Sequence, residues 1–220
     1  MAAIYTWCKY NDDTDLHFLV QSQRGSLQPW IASFSKALGI SDRVVHHDSP
    51  IYAKEVFASP EPRTFDWSCL QNHFAPNDRV EQDYAIIILR NNSRIGRNIP
   101  ETIHNKLARA VSEAHPSLKV VTFVGGEKPF EEVVEIFQRA KIVIGPHGAA
   151  MTNLIFAQKG TPVVEYITPE IMRPWLFLTG ASLGMKWWPV ILSSFDASEE
   201  IFRSVAVVKE ALKDADASIA

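Results

Sequence analysis

Three observations predict an α/β fold with a parallel sheet and helices on both of its faces. From Tyr84 onward, short apolar runs alternate with amphipathic stretches, as strands do when helices connect them in right-handed crossovers. Ile142, Val143 and Ile144 form an unbroken apolar run closed by Gly145 and Pro146, the pattern of a strand covered on both faces. After His147, Gly148 and Ala149, residues Met151, Leu154 and Ile155 recur at helical spacing, so the turn there opens a helix.

The regular part begins with a buried strand at Tyr84 to Leu89. A helix over Pro100 to Ala114 follows, with proline in its first turn, then a strand at Lys119 to Val124 broken by Gly125 and Gly126. Pro129 to Ala140 carries Phe130, Val133, Val134 and Phe137 on one helical face and leads into the central strand. Gly160, Thr161 and Pro162 stop the helix that opens after His147, and Val163 and Val164 start another strand that ends in Glu165. A helix near Ile171 to Leu183, a strand at Trp187 to Leu192 and a helix from Ser198 to Lys213 complete a Rossmann-like set of residues 84–220. Residues 1–83 read as an incomplete α/β portion: strands at His17 to Val20, Arg43 to His47 and Tyr52 to Phe57, a helix over Leu27 to Leu38 and a short one around Phe65 to Phe74. The polar stretch Ala75 to Gln82 reads as the linker.

Composition narrows the function classes. A chain of 220 residues, 46% hydrophobic and 21% charged, has a globular composition and holds one large domain or slightly more. A net charge of -3 disfavours broad nucleic-acid binding but leaves room for a local basic cluster around one nucleotide. No apolar stretch reaches the roughly 18 residues of a spanning helix, and the first residues lack a signal-peptide core, so no membrane segment is expected. Cys8 and Cys69 are too few for a disulfide framework, and their pairing is not readable from sequence.

In open α/β sheets, ligands bind beyond the carboxyl ends of the strands, where helix N-termini present unpaired N-H groups. Five strands suggest the order 2-1-3-4-5, with the switch point between the first and third, which sets Arg90 beside His147. The loop Arg90-Asn-Asn-Ser-Arg94-Ile-Gly-Arg97 carries three arginines, whose forks match phosphate oxygens. A diphosphate between this loop and the turn at Gly148, Ala149 and Ala150 would meet positive groups from two sides. Glu165, at the next strand end, could then accept bonds from ribose hydroxyls. A tight turn and a solvated acid are the bland readings of Gly148 and Glu165, and a solvated basic loop is the bland reading of Arg97.

The segments ILRNNSRIGRN and FEEVVEIFQRAKIVIGPHGAAMTNLIF, with GTPVVEY, resemble the catalytic domain of glycosyltransferase family 61. That resemblance covers about Leu16 to Leu192 and implies a two-domain, GT-B type, inverting and metal-independent enzyme without a cofactor. Its donor is a nucleoside diphosphate sugar, a UDP-sugar first among them, and its acceptor is a hydroxyl of a glycan or protein. The family's HGAGLTN motif falls on His147, Gly148, Ala149, Ala150, Met151, Thr152 and Asn153, with Ala150 and Met151 where the family has glycine and leucine. The resemblance thus assigns donor binding to Arg90, Arg94, His147, Gly148, Ala149, Thr152, Asn153 and Glu165, with His147 also a leaving-group stabiliser. Eukaryotic relatives work in the Golgi or endoplasmic reticulum lumen and bacterial ones in the cytoplasm. The competing class is a non-catalytic nucleotide-binding module derived from such an enzyme.

Two other chemistries are weighed. Gly180-Ala181-Ser182-Leu183-Gly184 fits G-x-S-x-G, but a hydrolase of that fold needs a histidine after the serine and none follows His147. Gly180 and Gly184 are therefore expected as a helix end and a turn. Asp13-Thr14-Asp15 and His46-His47-Asp48 hold possible metal ligands, yet adjacent strand residues point to opposite faces, and both groups read as surface. Trp175, Trp187 and Trp188 read as core.

Overall fold

The computed structural model describes residues 17–21, 28–47, 67–75, 80–90, 98–195 and 197–217. Two compact units divide the chain, Met1–Phe65 and Asp66–Ala220. In the first, strand β1 (Phe18–Gln21) pairs in parallel with β2 (Val44–His47). Helix α1 (Pro29–Ala37) lies between them in sequence, with proline in its first turn, and Gly39 takes a φ of 68° just after it. Phe18, Leu38 and Ile40 are buried. The strand expected at Tyr52 to Phe57 lies outside the described residues.

The second unit carries a five-stranded, all-parallel sheet. Its strands are β3 (Tyr84–Leu89), β4 (Lys119–Val124), β5 (Ala140–Pro146), β6 (Pro162–Ile167) and β7 (Lys186–Ile191), in spatial order β4-β3-β5-β6-β7. This is the expected α/β architecture with the expected 2-1-3-4-5 order. Every residue of β5 and β6 is buried, which is why Ile142 to Ile144 and Val163 to Val164 read as unbroken apolar runs. On one face Ile87, Ile142, Ile144, Val164 and Tyr166 pack with helix α3 (Glu101–Ala114) and helix α7 (Val205–Ala217). On the other side lie helix α4 (Phe130–Gln138), where Phe137 meets Phe123 edge to face at 5.1 Å, and a ring cluster of Phe74, Phe130 and Phe156. Gly145 is required between β5 and β3, since a Cβ there would fall 2.6 Å from the Ile88 Cβ.

The larger unit begins well before Tyr84, the start expected for it. Helix α2 (Ser68–Phe74) and the polar stretch after it belong to this unit. The Gln71 side chain donates to the Ala157 carbonyl at 2.9 Å and that of Gln82 to the Ala140 carbonyl at 2.7 Å, while Gln138 donates to the Phe74 carbonyl at 2.6 Å. Gln82, the end of the expected linker, is thus spent on a backbone carbonyl of this unit. Cys69 on α2 is disulfide-bonded, and Cys8 lies outside the described residues.

Three helical expectations are corrected. The segment after His147 is a 3-10 helix, Ala149–Phe156, rather than an α-helix. Thr152 Oγ1 donates to the Ala149 carbonyl at 2.6 Å and Asn153 Nδ2 to that of Ala150 at 3.0 Å, so short polar side chains engage the carbonyls three residues back and favour the tighter winding. The helix expected near Ile171 to Leu183 is a 3-10 turn, Pro169–Ile171, followed by helix α5 (Trp175–Ser182). Gly180 lies inside α5, not at its end, while Gly184, at a φ of 68°, makes the turn after it. The last helix is broken at Ser204 into α6 (Ser198–Arg203) and α7. There Tyr166 Oη and Ser204 Oγ meet at 2.9 Å, fastening the break to β6.

Candidate functional site at the switch point

At the carboxyl end of β5, the backbone N-H of His147 bonds to the Tyr166 carbonyl at 2.9 Å, so the ladder with β6 continues one residue past the strand and fixes the turn. Gly148 is extended, at φ 166° and ψ 176°, and the 3-10 helix starts at Ala149, which is exposed while Gly148 is buried. The turn therefore leads into the start of a helix at the exposed Ala149, where the first backbone N-H groups have no partner within the helix.

Arg90 stands at the end of β3, the strand next to β5, and is half-buried. Its Nη1 approaches the His147 carbonyl oxygen at 3.5 Å, across 57 residues of sequence. Strand order alone brings these two together, because the crossover after β3 runs to β4 and the one after β5 runs the opposite way to β6, which opens the crevice between β3 and β5. Arg94 lies outside the described residues.

The His147 side chain turns inward. Its Nδ1 lies 2.7 Å from Glu165 Oε1, both side chains being almost fully buried at 3% and 5% exposure. Trp187 Nε1 donates to the second carboxylate oxygen, Oε2, at 3.0 Å. The indole of Trp175, first residue of α5, meets the His147 ring edge to face, with centroids 5.7 Å apart. A buried carboxylate is tolerable because both oxygens meet nitrogen partners.

Glu165 therefore does not emerge as a strand-end acid awaiting ribose hydroxyls. Each of its oxygens already meets a nitrogen, of His147 on one and of Trp187 on the other. The reason is parity: Glu165 lies on the face of β6 opposite to Val164 and Tyr166, where His147 and Trp187 meet it. Thr152 and Asn153 are near the turn, but each side chain donates to its own helix. Sequence reasoning grouped Trp175 and Trp187 with the core. The signal that separates Trp187 from Trp188 was available: Trp188 sits opposite Val164 in register, and Trp187 opposite Val163, two residues before the acid.

The model of the family described as Glycosyltransferase 61 matches residues 16–164, more than half of the chain. This chain belongs to glycosyltransferase family 61. As a family member it is a glycosyltransferase, with a sugar donor and an acceptor as substrates. The match takes in Arg90, Arg94 and the whole motif from His147 to Asn153 and ends at Val164, beside Glu165. No curated protein matches the chain. Among solved structures it is similar to the flavodoxin-like domain of a Synechococcus sp. protein, with 11% identity over 61% of this chain and 98% of that one, at a TM-score of 0.43. It is also similar to an azoreductase from Bacillus anthracis (13%, 60% and 98%, 0.39) and to an oxidoreductase from Corynebacterium diphtheriae (14%, 62% and 97%, 0.41). These likenesses are too distant to bear on function. Among the described residues of this family 61 chain, no three histidine, cysteine, aspartate or glutamate side chains gather as a metal site, and no helix is long and apolar enough to cross a membrane.

Proposed function

We propose that this family 61 glycosyltransferase moves a sugar from a nucleoside diphosphate sugar, a UDP-sugar first among candidates, to a hydroxyl of a glycan or protein with inversion at the anomeric carbon. The acceptor oxygen attacks from the face opposite the diphosphate, which leaves with the bonding electron pair. The main task of the larger unit is then to stabilise the charge that develops on the leaving diphosphate. Arg90 and Arg94 would supply guanidinium charge, and the N-H groups at Gly148 and Ala149 would cradle phosphate oxygens, without calling on a metal ion. His147 would stabilise the leaving group, and Thr152 and Asn153 would adjoin the phosphate or ribose.

The observation that carries this reading is the approach of Arg90 to the backbone of His147 at the switch point, beside the exposed start of the 3-10 helix. Two elements remote in sequence present positive groups at one rim, where a family 61 enzyme needs an anion. Calorimetric titration of UDP tests it. Arg90→Ala, Arg94→Ala and His147→Ala should each weaken UDP binding by about tenfold or more, the loss of a charge-assisted bond costing roughly 1.5–3 kcal/mol. Unchanged affinity in all three would overturn the reading. Sugar transfer measured on the same samples separates an enzyme from a module that binds without turnover.

A further inference from the structure

The Glu165 carboxylate is flanked by partners of unequal chemistry. An indole Nε1-H only donates, so Oε2, at 3.0 Å from Trp187, only accepts. Oε1 faces His147 Nδ1 at 2.7 Å, and that nitrogen donates or accepts according to the histidine tautomer. Trp187 is seated against helix α5. The ring occupies the space a Gly180 side chain would fill, a Cβ there falling 2.3 Å from the indole, and Phe177 meets it edge to face at 6.4 Å. Gly180, Phe177 and the His147 neighbour Trp175 all belong to α5, so one short helix seats the tryptophan and abuts the histidine.

We propose that Glu165 is a positioning residue that keeps a proton on His147 Nδ1, and that Trp187 orients the carboxylate by holding Oε2, so that Oε1 faces that proton. Trp187 engages Oε2, and Oε1 accepts from Nδ1-H, the usual way a carboxylate sets the tautomer of a functional imidazole. Neither residue needs to touch the donor. The consequence for donor affinity rests on the functional reading above; the tautomer itself does not.

An amide at position 165 exposes the role of the tryptophan. In Glu165→Gln the single carbonyl oxygen must serve either Trp187 or His147. With Trp187 seated, it turns to the indole and presents its NH2 to His147, which must then accept at Nδ1 and carry its proton on Nε2. In Glu165→Gln with Trp187→Phe the indole donor is gone, so the amide oxygen can return to Nδ1-H. The carboxylate mimic alone is therefore expected to be worse than the same change combined with a second one.

Nitrogen NMR of histidine-labelled full-length protein reads the proton on each ring nitrogen directly, the His147 signals being assigned by their loss in His147→Gln. The wild type and Trp187→Phe should show a protonated Nδ1, Glu165→Gln an unprotonated one, and the double variant a protonated one again. UDP affinity should fall about tenfold in Glu165→Gln, the scale of one lost charge-assisted bond, and return to within about twofold of wild type in the double variant. A wild-type Nδ1 without its proton, a protonated Nδ1 in Glu165→Gln, or no restoration in the double variant would each overturn the proposal. If Glu165→Gln does not fold, the wild-type spectrum alone decides. Failure of UDP to bind the wild type would overturn the donor reading and leave the tautomer result standing.

Discussion

The residues at the switch point divide into those that face the rim and those that face inward, and the sequence foretells the first group better than the second. Arg90 and His147 are adjacent, as strand order demands, whereas Glu165 is withdrawn into a buried pair with His147 and capped by Trp187. Period-two alternation along β6 would have placed Glu165 on the side away from Tyr166; what covers that side depends on where the chain returns. Tyr166, on the opposite face, has its own consequence. Burial pushes its phenol up to about 12 from 10.0, the bond to Ser204 acting against that shift. A folded-state value raised above the unfolded one contributes stability that is whole below pH 10 and is lost as pH rises toward 12. Two pH units at 1.36 kcal/mol each make this a loss of about 2–3 kcal/mol. Urea denaturation at steps of pH across that window should show a steeper decline for the wild type than for Tyr166→Phe, which has no phenol to ionise.

At the scale of elements, strands are legible and helical details are not. The runs at Tyr84 to Leu89 and Lys119 to Val124 coincide with observed strands, the first because a strand covered on both faces is apolar throughout, the second, an edge strand with Lys119 and Thr122 exposed, through its β-branched and aromatic residues. Helix type and extent depend on partners instead: the 3-10 winding follows from the side chains of Thr152 and Asn153, and the break before α7 from the tie between Ser204 and Tyr166. Helix α5 gives a sharp test. Gly→Ala inside a helix normally gains up to about 1 kcal/mol, but a Cβ at Gly180 would fall 2.3 Å from the Trp187 ring. Overpacking costs about 1–3 kcal/mol, and the ring cannot retreat without giving up its bond to Glu165. The clash should win, so Gly180→Ala is expected to lower the melting temperature and change tryptophan emission. A raised melting temperature with unchanged emission would show that the indole is not seated as described.

For the molecule as a whole, the boundary between units governs what can fold alone. The unit Asp66–Ala220 contains its sheet, both helical layers and the α2 segment whose Phe74 and Gln71 pack on the 3-10 helix region. Residues 66–220 expressed alone should therefore unfold in one cooperative transition, whereas residues 84–220, lacking the Gln71, Phe74 and Gln82 contacts, should melt lower or aggregate. Equal melting curves for the two fragments would show that α2 adds nothing to this unit. By itself the sequence determined the α/β class, the five parallel strands and their order, and the meeting of Arg90 with His147, since these follow from apolar periodicity and the handedness of crossovers. Only the tertiary structure decided that Glu165 faces His147 rather than solvent and that Trp187 completes the pair. Those contacts join strands and a helix remote in sequence, and hydrogen bonds of that kind are set by packing rather than by any local pattern.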